Sequence, residues 1–397
     1  MSAESAPVPT SAPITKINYL FPGSFSPVTV SHIDAVKKLL AGDGLTPDER
    51  EIVPRPKITV YIIPVSDRYP KDSVKPGTPV YLSEETRKEF LDIAVKPLLA
   101  NGESVIVSDA EFEYGKGKVN DTRSKDKQHP TTSFLAVNYD KHVRTNGQTY
   151  LEHPENFVNA ETYLILGADN AYVDMVGWAD PKTILDNMKI LVIARGKPPK
   201  KPVKRYYEHD GTIPNIPNTD TVDYDTVVAE RKQIYGKSFS DYDLQKEMNE
   251  KIVRLDFTVA EASSSLIRSL VFKPEDVSLE EVEGKPCELE RVLIELRANG
   301  KVVPDFDEYS TDLDGVKKIK SEQVGELVKA LTPIPKETLE QKYKADAAAA
   351  AAAAHGGGAR SKKTKRRKGR RNSRSKTRKR RLTNKRRGNR RRNRTHH

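Results

Sequence analysis

The sequence predicts an α/β fold in which helices cover a doubly wound, mostly parallel sheet. Short runs of β-branched and aromatic residues, typical of buried strands, recur between residues 14 and 275. Amphipathic helical patterns separate several of these runs, and turn-forming residues such as Pro22-Gly23 follow them. Buried strands that alternate with helices are typical of parallel sheets with crossover helices.

Six strands and two intervening helices can be assigned in order. The strands are predicted over residues 17–21, 58–65, 104–108, 163–166, 190–194 and 252–257. The first helix, over residues 31–40, has one apolar face and is followed by two glycines that stop it. A second helix is predicted over residues 83–99, where Ser83 begins a capping box with Glu85 or Thr86.

Composition divides the chain into four parts. They are a flexible N-terminus (residues 1–13), an α/β domain (14–275), a helical extension (276–346), and an alanine run with a disordered basic tail (347–397). Two polar stretches of the domain, residues 114–154 and 196–243, are predicted to be surface insertions or lids. In the extension, amphipathic patterns predict helices over residues 279–298 and 314–331.

The charge of the chain is divided between an acidic body and a basic tail. Residues 360–397 contain 22 Lys and Arg residues and neither Asp nor Glu, which leaves 46 basic and 56 acidic residues elsewhere. The formal net charge of +12 therefore comes from the tail. We expect the tail to bind nucleic acid or other polyanions with steep salt dependence and little sequence preference.

The remaining composition predicts an intracellular protein. The only cysteine is Cys287, so neither an intrachain disulfide nor a cysteine-based metal cluster can form, and a reducing compartment fits best. The longest apolar runs are too short to span a bilayer, and the N-terminus lacks the pattern of a secretory signal. The basic tail favours the nucleus, with the cytoplasm as the alternative. No protein-held metal site and no membrane contact are expected.

The first segment with a chemical signal is residues 23–32, where a predicted strand turns into a predicted helix. Gly23 allows the backbone to approach an anion closely, and the free N–H groups at the start of a helix bind phosphate. His32 lies near the first turn and can donate a hydrogen bond to phosphate oxygens. The simpler interpretation is an ordinary strand–loop–helix junction in which His32 only begins the helix.

The second segment is residues 262–268, in which three serines precede an apolar helical pattern. Such hydroxyl side chains are natural N-caps. A helix start of this kind can also cap a triphosphate, with Arg268 donating a fork of hydrogen bonds to its oxygens. Plain N-capping is the simpler interpretation of this segment as well.

Taken together and in this order, GSFSPVTVSH (residues 23–32) and ASSSLIR (residues 262–268) resemble the signature pair of the nucleotidylyltransferase superfamily. Thr29 stands where other members carry a histidine. In this respect the chain resembles the eukaryotic type of nicotinamide/nicotinic acid mononucleotide adenylyltransferase, in which threonine is usual at this position. Further segments resemble that branch: PVSDRYPK (residues 64–71), Arg87, Gly167-Ala168-Asp169, Trp178 and VIAR (residues 192–195).

The chain departs from the family pattern at several places. Ser26 and Ala260 stand where asparagine is usual, and the Trp-Glu pair expected after the third strand is absent. Phe112-Glu113 is the nearest replacement for that pair. Without the resemblance, Trp178 is equally well explained as a core residue, Asp169 as a helix cap and Lys71 as a surface lysine.

The resemblance implies a Rossmann-like fold and a role for each matching residue. Catalytic roles fall to His32 and Arg268, on the phosphates of ATP, and to Lys71, on the mononucleotide phosphate. Trp178 would stack on the pyridine ring, while Gly167 and Asp169 would hold the adenosine ribose. Further contacts with ATP or NAD are implied for Gly23, Ser24, Phe25, Thr29, Arg87, Arg195, Ser264, Ser265, Leu266 and Ile267.

The activity implied by the resemblance is adenylyl transfer from ATP to nicotinamide or nicotinic acid mononucleotide, which gives NAD or its acid analogue and pyrophosphate. Mg²⁺ would be held by substrate phosphates and water rather than by a protein cage. Members of the family commonly self-associate, so a homo-oligomer is also implied. Two alternatives stay open: a sister adenylyl- or cytidylyltransferase with another phosphate acceptor, and a nucleic-acid-binding protein whose transferase fold has lost catalysis.

Overall fold

A computed structural model describes most of the α/β domain and the end of the helical extension. The described residues are 14–69, 74–119, 131–167, 170–171, 175, 178, 181–195, 203–204, 215–216, 252–259, 262–272, 278–279, 297, 310–311, 317–319 and 321–354. The chain divides into two compact units, Met1–Tyr343 and Lys344–His397. Residues 344–354 of the second unit are helical, and all other elements below belong to the first.

The first unit contains a parallel sheet of six strands. They are β1 (Lys16–Gly23), β2 (Lys57–Pro64), β3 (Val105–Val107), β4 (Ala160–Gly167), β5 (Lys189–Arg195) and β8 (Ile252–Val259). Their order in the sheet is β3-β2-β1-β4-β5-β8, and every neighbouring pair is parallel. This is the order of a doubly wound, Rossmann-like sheet, so the predicted fold class and all six predicted strands are confirmed.

Five two-residue strands form two small antiparallel sheets. One sheet pairs β6 (Val203–Lys204) with β7 (Asn215–Ile216). In the other, β11 (Lys317–Lys318) lies between β9 (Ser278–Leu279) and β10 (Ser310–Thr311).

The described helices lie on both faces of the large sheet. They are α1 (Val30–Ala41), α2 (Pro47–Arg50), α3 (Glu84–Ala100), α4 (Ala110–Gly115), α5 (Thr132–Asn138), α6 (Pro181–Asn187), α7 (Ser264–Phe272), α8 (Ser321–Leu331) and α9, which covers residues 336–343 of this unit. A 3₁₀ helix covers Pro154–Phe157.

The two helices predicted within the α/β domain begin and end for local reasons. α1 begins after the N-cap Thr29 and ends at Gly42, whose φ of 90° lies in the left-handed region that favours glycine. α3 begins after Ser83, whose hydroxyl accepts a hydrogen bond from the Thr86 N–H. The predicted N-cap Ser83 is therefore present, the N-cap Thr29 was not predicted, and the bounds of both helices differ from prediction by one residue.

The strands of the sheet are buried on both faces because apolar residues occupy both sets of alternating positions. In β2, Val60 and Ile62 belong to one core cluster, while Tyr61 and Ile63 belong to the other. The first cluster is covered by α1, α3, α7 and α8, and the second by α4, α5 and α6. Burial on both sides is typical of a parallel sheet between helical layers.

The stretch over residues 114–154, predicted to be a surface insertion or lid, contributes buried residues to the core in the part that the structure describes. Leu135, Tyr150 and Leu151 are fully buried in the second core cluster. Buried Arg144 pairs with Asp109 at 3.1 Å and Glu152 at 3.0 Å. The few apolar residues of this segment are spaced irregularly among charges, so no helical or strand period indicates which of them are buried.

The helical extension differs from its prediction in one described part. The pattern over residues 314–331 predicts one helix, whereas α8 begins only at Ser321 and residues 317–318 form β11. Leu327 and Leu331 of α8 are buried in the same core cluster as Ile267 of α7. The described part of the extension therefore shares the core of the α/β domain.

Several predictions lie outside the described residues. They concern the N-terminus (residues 1–13), Lys71, Asp169, Ala260, Cys287, most of the 196–243 and 279–298 stretches, and the basic tail (residues 360–397).

Candidate active site

The candidate site lies at the point where the order of the sheet reverses. β1 pairs with β2 on one side and with β4 on the other, so the chain winds outward in both directions from the β1–β4 pair. β1 ends at Gly23 and β4 ends at Gly167, both at the carboxyl edge of the sheet. In sheets of this kind, ligands bind in the crevice outside the strand ends at this reversal.

The loop that leaves β1, residues 24–29, has an unusual backbone and is called the β1–α1 loop below. Phe25 has a φ of 46°, although it is not glycine, and its side chain is buried. Its ring makes edge contacts with Phe21 at 5.6 Å and with His32 at 4.9 Å between centroids. A positive φ held by packing marks a backbone conformation that the surrounding structure enforces, and such positions cluster at functional sites.

His32 completes a capping box at the start of α1. The Thr29 N–H donates to Nδ1 of His32 at 3.0 Å, and the Thr29 hydroxyl accepts from the His32 N–H at 3.4 Å. Because Nδ1 accepts this hydrogen bond, the neutral imidazole carries its proton on Nε2. The helix-start role and the phosphate-donor role predicted for His32 are therefore compatible, since one ring nitrogen serves each.

The two signature segments, more than 230 residues apart, meet directly in the structure. The Ser264 hydroxyl donates to the Pro27 carbonyl at 2.8 Å, and the Arg268 guanidinium donates to the Ser26 carbonyl. Ser31 and Ala262 exchange two further hydrogen bonds, of 2.9 and 2.8 Å. Here the start of α7 is joined to the β1–α1 loop, as the paired motifs require.

Arg268 also lies in a partly enclosed place. Its guanidinium donates to the Ser265 hydroxyl at 3.0 Å, and burial lowers the pKa of the side chain below its usual range. Ser265 is exposed, whereas Ile267 is fully buried in the core. Leu266 packs at the edge of that core. Only backbone atoms of Ile267 could therefore contact a ligand.

Thr332 and Tyr343, at the end of the extension, are site neighbours that the sequence did not reveal. The Thr332 hydroxyl donates to the Val28 carbonyl of the β1–α1 loop at 2.7 Å. Tyr343 is buried, stacks edge-on against Phe272 of α7, and lies near Arg268. Neither residue belongs to a local motif, and only long-range packing brings them here.

Arg87 has a different place from the ligand contact implied by the resemblance. Its side chain has no exposed surface and donates to the carbonyls of Leu82, Ser24 and Val65 at 3.1, 3.3 and 2.6 Å. It also pairs with Asp67 at 2.7 Å. In this structure Arg87 lies beneath the loops rather than facing a ligand.

The segment after β2 is described as far as Tyr69. The Asp67 carboxylate accepts from Arg87 and from the Tyr81 hydroxyl, and the Asp67 N–H donates to Glu84 at 3.0 Å. Burial raises the pKa of both Asp67 and Glu84. Lys71, the implied partner of the mononucleotide phosphate, follows this segment but lies outside the described residues.

Phe112 and Glu113 do not form a ring-and-carboxylate pair that faces the crevice. Phe112 is buried and its ring lies under the Arg87 guanidinium, with 5.3 Å between the guanidinium carbon and the ring centroid. Glu113 pairs with Lys118 at 2.9 Å. The neighbouring Glu111, not singled out from the sequence, is buried, and burial raises its pKa to about 8.

On the β4 side, the structure describes only part of the implied ring site. Trp178 is half-buried and packs against the second core cluster, and its backbone N–H donates to the Met175 carbonyl at 3.0 Å. Gly167 ends β4, and Arg195 occupies the last position of β5. The remaining residue implied on this side, Asp169, lies outside the described residues.

Within the described ranges, no group of three or more His, Cys, Asp or Glu side chains is placed to hold a metal ion. The helices that the structure describes include none long and apolar enough to cross a membrane.

Comparison with known proteins gives only distant similarities. No protein-family model and no curated protein matches the chain. Among solved structures, it is similar to a Plasmodium falciparum nicotinic acid mononucleotide adenylyltransferase complexed with APC, at 14% identity and a TM-score of 0.31, over 66% of this chain and 87% of that one. The NaAD complex of that enzyme has a TM-score of 0.30 at 14% identity, over 65% and 85% of the two chains.

A Vibrio parahaemolyticus protein named as a candidate nicotinate-nucleotide adenylyltransferase has 12% identity and a TM-score of 0.27, over 60% of this chain and 98% of that one. Similarities at this level do not carry a function over to the chain, so its own residues must support one.

Proposed function

We propose that the chain transfers the adenylyl group of ATP to nicotinamide or nicotinic acid mononucleotide and releases pyrophosphate. The main support is the direct contact between the β1–α1 loop and the start of α7 at the reversal point of the sheet. Two helix N-termini, an imidazole N–H and a guanidinium lie together there. Groups of these kinds bind the oxygens of a polyphosphate.

The proposed reaction needs no nucleophilic side chain. An oxygen of the mononucleotide phosphate attacks the α-phosphorus of ATP in line, a new P–O–P bond forms, and the bond to pyrophosphate breaks. The protein must hold two mutually repelling anions in alignment and stabilise the negative charge that develops on the leaving group. The cationic and N–H groups of the site are suited to this task.

His32 is proposed to donate from Nε2 to the ATP phosphates. Its Nδ1 is occupied by the Thr29 N–H, so the ring is held in one orientation and one tautomer before substrate binds. A preorganised donor of this kind stabilises developing charge without reorganisation.

Arg268 is proposed to serve the β- and γ-phosphates. It makes hydrogen bonds to Ser26 and Ser265, and an arginine has five N–H donors. The bond to the loop carbonyl would hold the guanidinium in place while other N–H groups donate to phosphate oxygens. Ser264, Ser265 and the N–H groups at the start of α7 would complete the contacts with the triphosphate.

The mononucleotide is proposed to bind on the other side of the crevice. Lys71 would contact its phosphate, Trp178 would stack on its pyridine ring, and Gly167 and Asp169 would lie against the adenosine ribose, with Arg195 nearby. The half-buried position of Trp178 beside the second core cluster supports a stacking surface rather than a fully buried core residue.

Mg²⁺ is proposed to be held by the phosphates and water, because the side chains that contact the β1–α1 loop supply hydroxyl and cationic groups. The Asp67 carboxylate, which pairs with Arg87 beneath the loop, is engaged by Arg87 and Tyr81. When bound, the ion would neutralise phosphate charge.

The basic tail is proposed to act separately from the reaction. Its 22 Lys and Arg residues between residues 360 and 397 support binding to nucleic acid through phosphate contacts, and a nuclear import role. Deletion of residues 360–397 should leave adenylyl transfer unchanged and abolish nucleic-acid binding. Loss of transfer in that variant would contradict the separation.

The experiment that tests the proposed function measures pyrophosphate release from ATP and Mg²⁺ with each of three acceptors. Nicotinamide mononucleotide, nicotinic acid mononucleotide and phosphopantetheine are supplied separately, and the dinucleotide product is identified by mass. Release with a pyridine mononucleotide is expected. Release only with phosphopantetheine would identify a sister transferase, and no release from folded protein that binds ATP would contradict the proposal.

A further inference from the structure

Arg87 is a buried cation that the proposed reaction does not use directly. It lies in α3, and none of its side-chain surface is exposed. Burying a guanidinium is costly unless hydrogen bonds and an opposite charge compensate it. Arg87 has both: three hydrogen bonds to carbonyls and an ion pair with Asp67.

The partners of Arg87 come from two loops that are separate in sequence. Its Nη1 donates to the Ser24 carbonyl of the β1–α1 loop and to the Val65 carbonyl after β2. The two loops follow neighbouring strands whose last residues, Gly23 and Pro64, face each other in the register. A single nitrogen atom therefore joins the loop assigned to ATP to the segment that leads toward Lys71.

The second half of the guanidinium is held on the β2 side. Its Nη2 pairs with Asp67, which also accepts from the Tyr81 hydroxyl. Beneath it lies the ring of Phe112 in α4. Nε donates to the Leu82 carbonyl just before α3. Because one face and all three nitrogens of the planar group have partners, its position is defined by elements on three sides.

We propose that Arg87 is a positioning residue that acts through Ser24 and Val65. It would hold the β1–α1 loop (residues 24–29), assigned to ATP, at a fixed distance from residues 65–69, which lead to the site assigned to the mononucleotide. The inference rests on the proposed function. It predicts a particular kinetic defect: each substrate still binds to its own loop, but the attacking phosphate and the α-phosphorus lose alignment. Misplacement of about 1 Å can lower turnover roughly 10²-fold.

Arg87→Lys is the informative substitution because lysine keeps the charge but has one nitrogen on a flexible stem. It cannot bond to Leu82, Ser24, Val65 and Asp67 together. We expect kcat to fall about 10- to 100-fold, while the Kd of each substrate alone changes less than about threefold. Substrate binding can be followed by the fluorescence of Trp178, the only tryptophan.

Arg144→Lys is the matched control. Arg144 is also a buried arginine, with ion pairs to Asp109 and Glu152 and two hydrogen bonds to the Tyr150 carbonyl. None of these partners lies in either substrate loop. Its substitution should lower the midpoint of thermal unfolding but leave kcat per folded molecule unchanged.

A second variant, Asp67→Asn, tests the same connection through Arg87 with less risk to folding. It keeps the shape and one acceptor oxygen but removes the charge that orients Arg87. We expect a smaller loss of kcat in the same direction. Equal loss of kcat in Arg144→Lys, an unchanged kcat in Arg87→Lys, or a rise in KM with kcat unchanged would each overturn the proposal.

Hydrogen–deuterium exchange provides a readout that does not depend on the reaction. Arg87→Lys should raise amide exchange in both residues 24–29 and residues 65–69, and Arg144→Lys in neither. Unchanged exchange in the two segments would refute the proposed connection through Arg87, whatever the activity. If the wild-type protein transfers no adenylyl group but the exchange pattern is as expected, the proposed function fails while the connection through Arg87 stands.

Discussion

The helices that cover the two faces of the sheet differ in their length and in their capping residues. On the face covered by α1, α3, α7 and α8, three of the four helices are 11 to 17 residues long, and α1 and α3 have recognisable N-caps. On the other face, α4, α5 and α6 are six or seven residues long, and the chain between α5 and β4 is mostly irregular. The first face holds the loop that carries the signature motif.

This difference suggests that the two faces have different roles, one in the proposed site and the other in stability. The first face carries His32, Ser264 and Arg268, whose side chains contact the β1–α1 loop or lie beside it. The second face, in its described part, buries Leu135, Tyr150 and Leu151 and contributes mainly core volume. Substitution of these three polar residues on the first face should then affect turnover, and substitution of the three buried core residues on the second face should affect stability.

The largest effect is expected from Leu135→Ala on the second face. Leu135 is fully buried, and removal of a buried leucine side chain costs about 2–5 kcal/mol of unfolding free energy. Turnover per folded molecule should stay normal. Chemical denaturation and an activity assay on the folded fraction test this, and a large loss of turnover with intact stability would contradict the division between the faces.

The next largest effect is expected from His32→Ala on the first face. Loss of a preorganised donor should lower kcat roughly 10²-fold, which corresponds to about 2.7 kcal/mol. Loss of the capping box should cost only about 1 kcal/mol of stability. His153→Ala is the matched control, because His153 is exposed and pairs only with Glu155 among the partners that the structure describes. Near-normal turnover of folded His32→Ala would refute its assigned role.

A smaller effect is expected from Glu111, which lies near Ser66 and Arg87. Its titration should make the stability of the protein depend on pH. Burial raises the pKa of Glu111 from the usual glutamate value of 4.5 to about 8. The folded state therefore holds a proton that the unfolded state releases, so stability is greatest below the unfolded pKa and falls as pH rises toward 8.

Glu111→Gln removes this titration while keeping the side-chain size. Relative to wild type, it should gain of order 1 kcal/mol or more in unfolding free energy at pH 8 compared with pH 5. Denaturation curves at the two pH values measure this. An identical pH dependence in the two proteins would show that Glu111 does not hold the proton.

The smallest effect is expected from Thr332→Val, which removes the hydroxyl that donates to the Val28 carbonyl. The lost hydrogen bond should cost about 1 kcal/mol of stability and leave a carbonyl of the β1–α1 loop without this partner. A modest rise in KM for ATP is expected because this loop would be less restrained. Kinetics with varied ATP provide the test, and a fall in kcat as large as that of His32→Ala would contradict this ranking.

Some features could be predicted because they depend on local chemistry. The strand runs, the N-cap at Ser83, and the pairing of the 23–32 and 262–268 segments all rest on residues close in sequence or on a recognisable motif. Other features could not. Arg87 matches a family position, but that match does not indicate that its side chain is buried under two loops rather than facing a ligand.

The sequence by itself determined the six strands of the large sheet and the helices α1 and α3, because apolar periodicity and capping residues act over a few neighbouring positions. It also indicated the two motifs that are proposed to bind phosphate. Tertiary structure alone decided which distant groups complete the site: Arg268 on Ser26, Thr332 on Val28, and Arg87 between Ser24 and Val65. Such contacts arise from the packing of whole elements around the sheet, and no local pattern of residues encodes them.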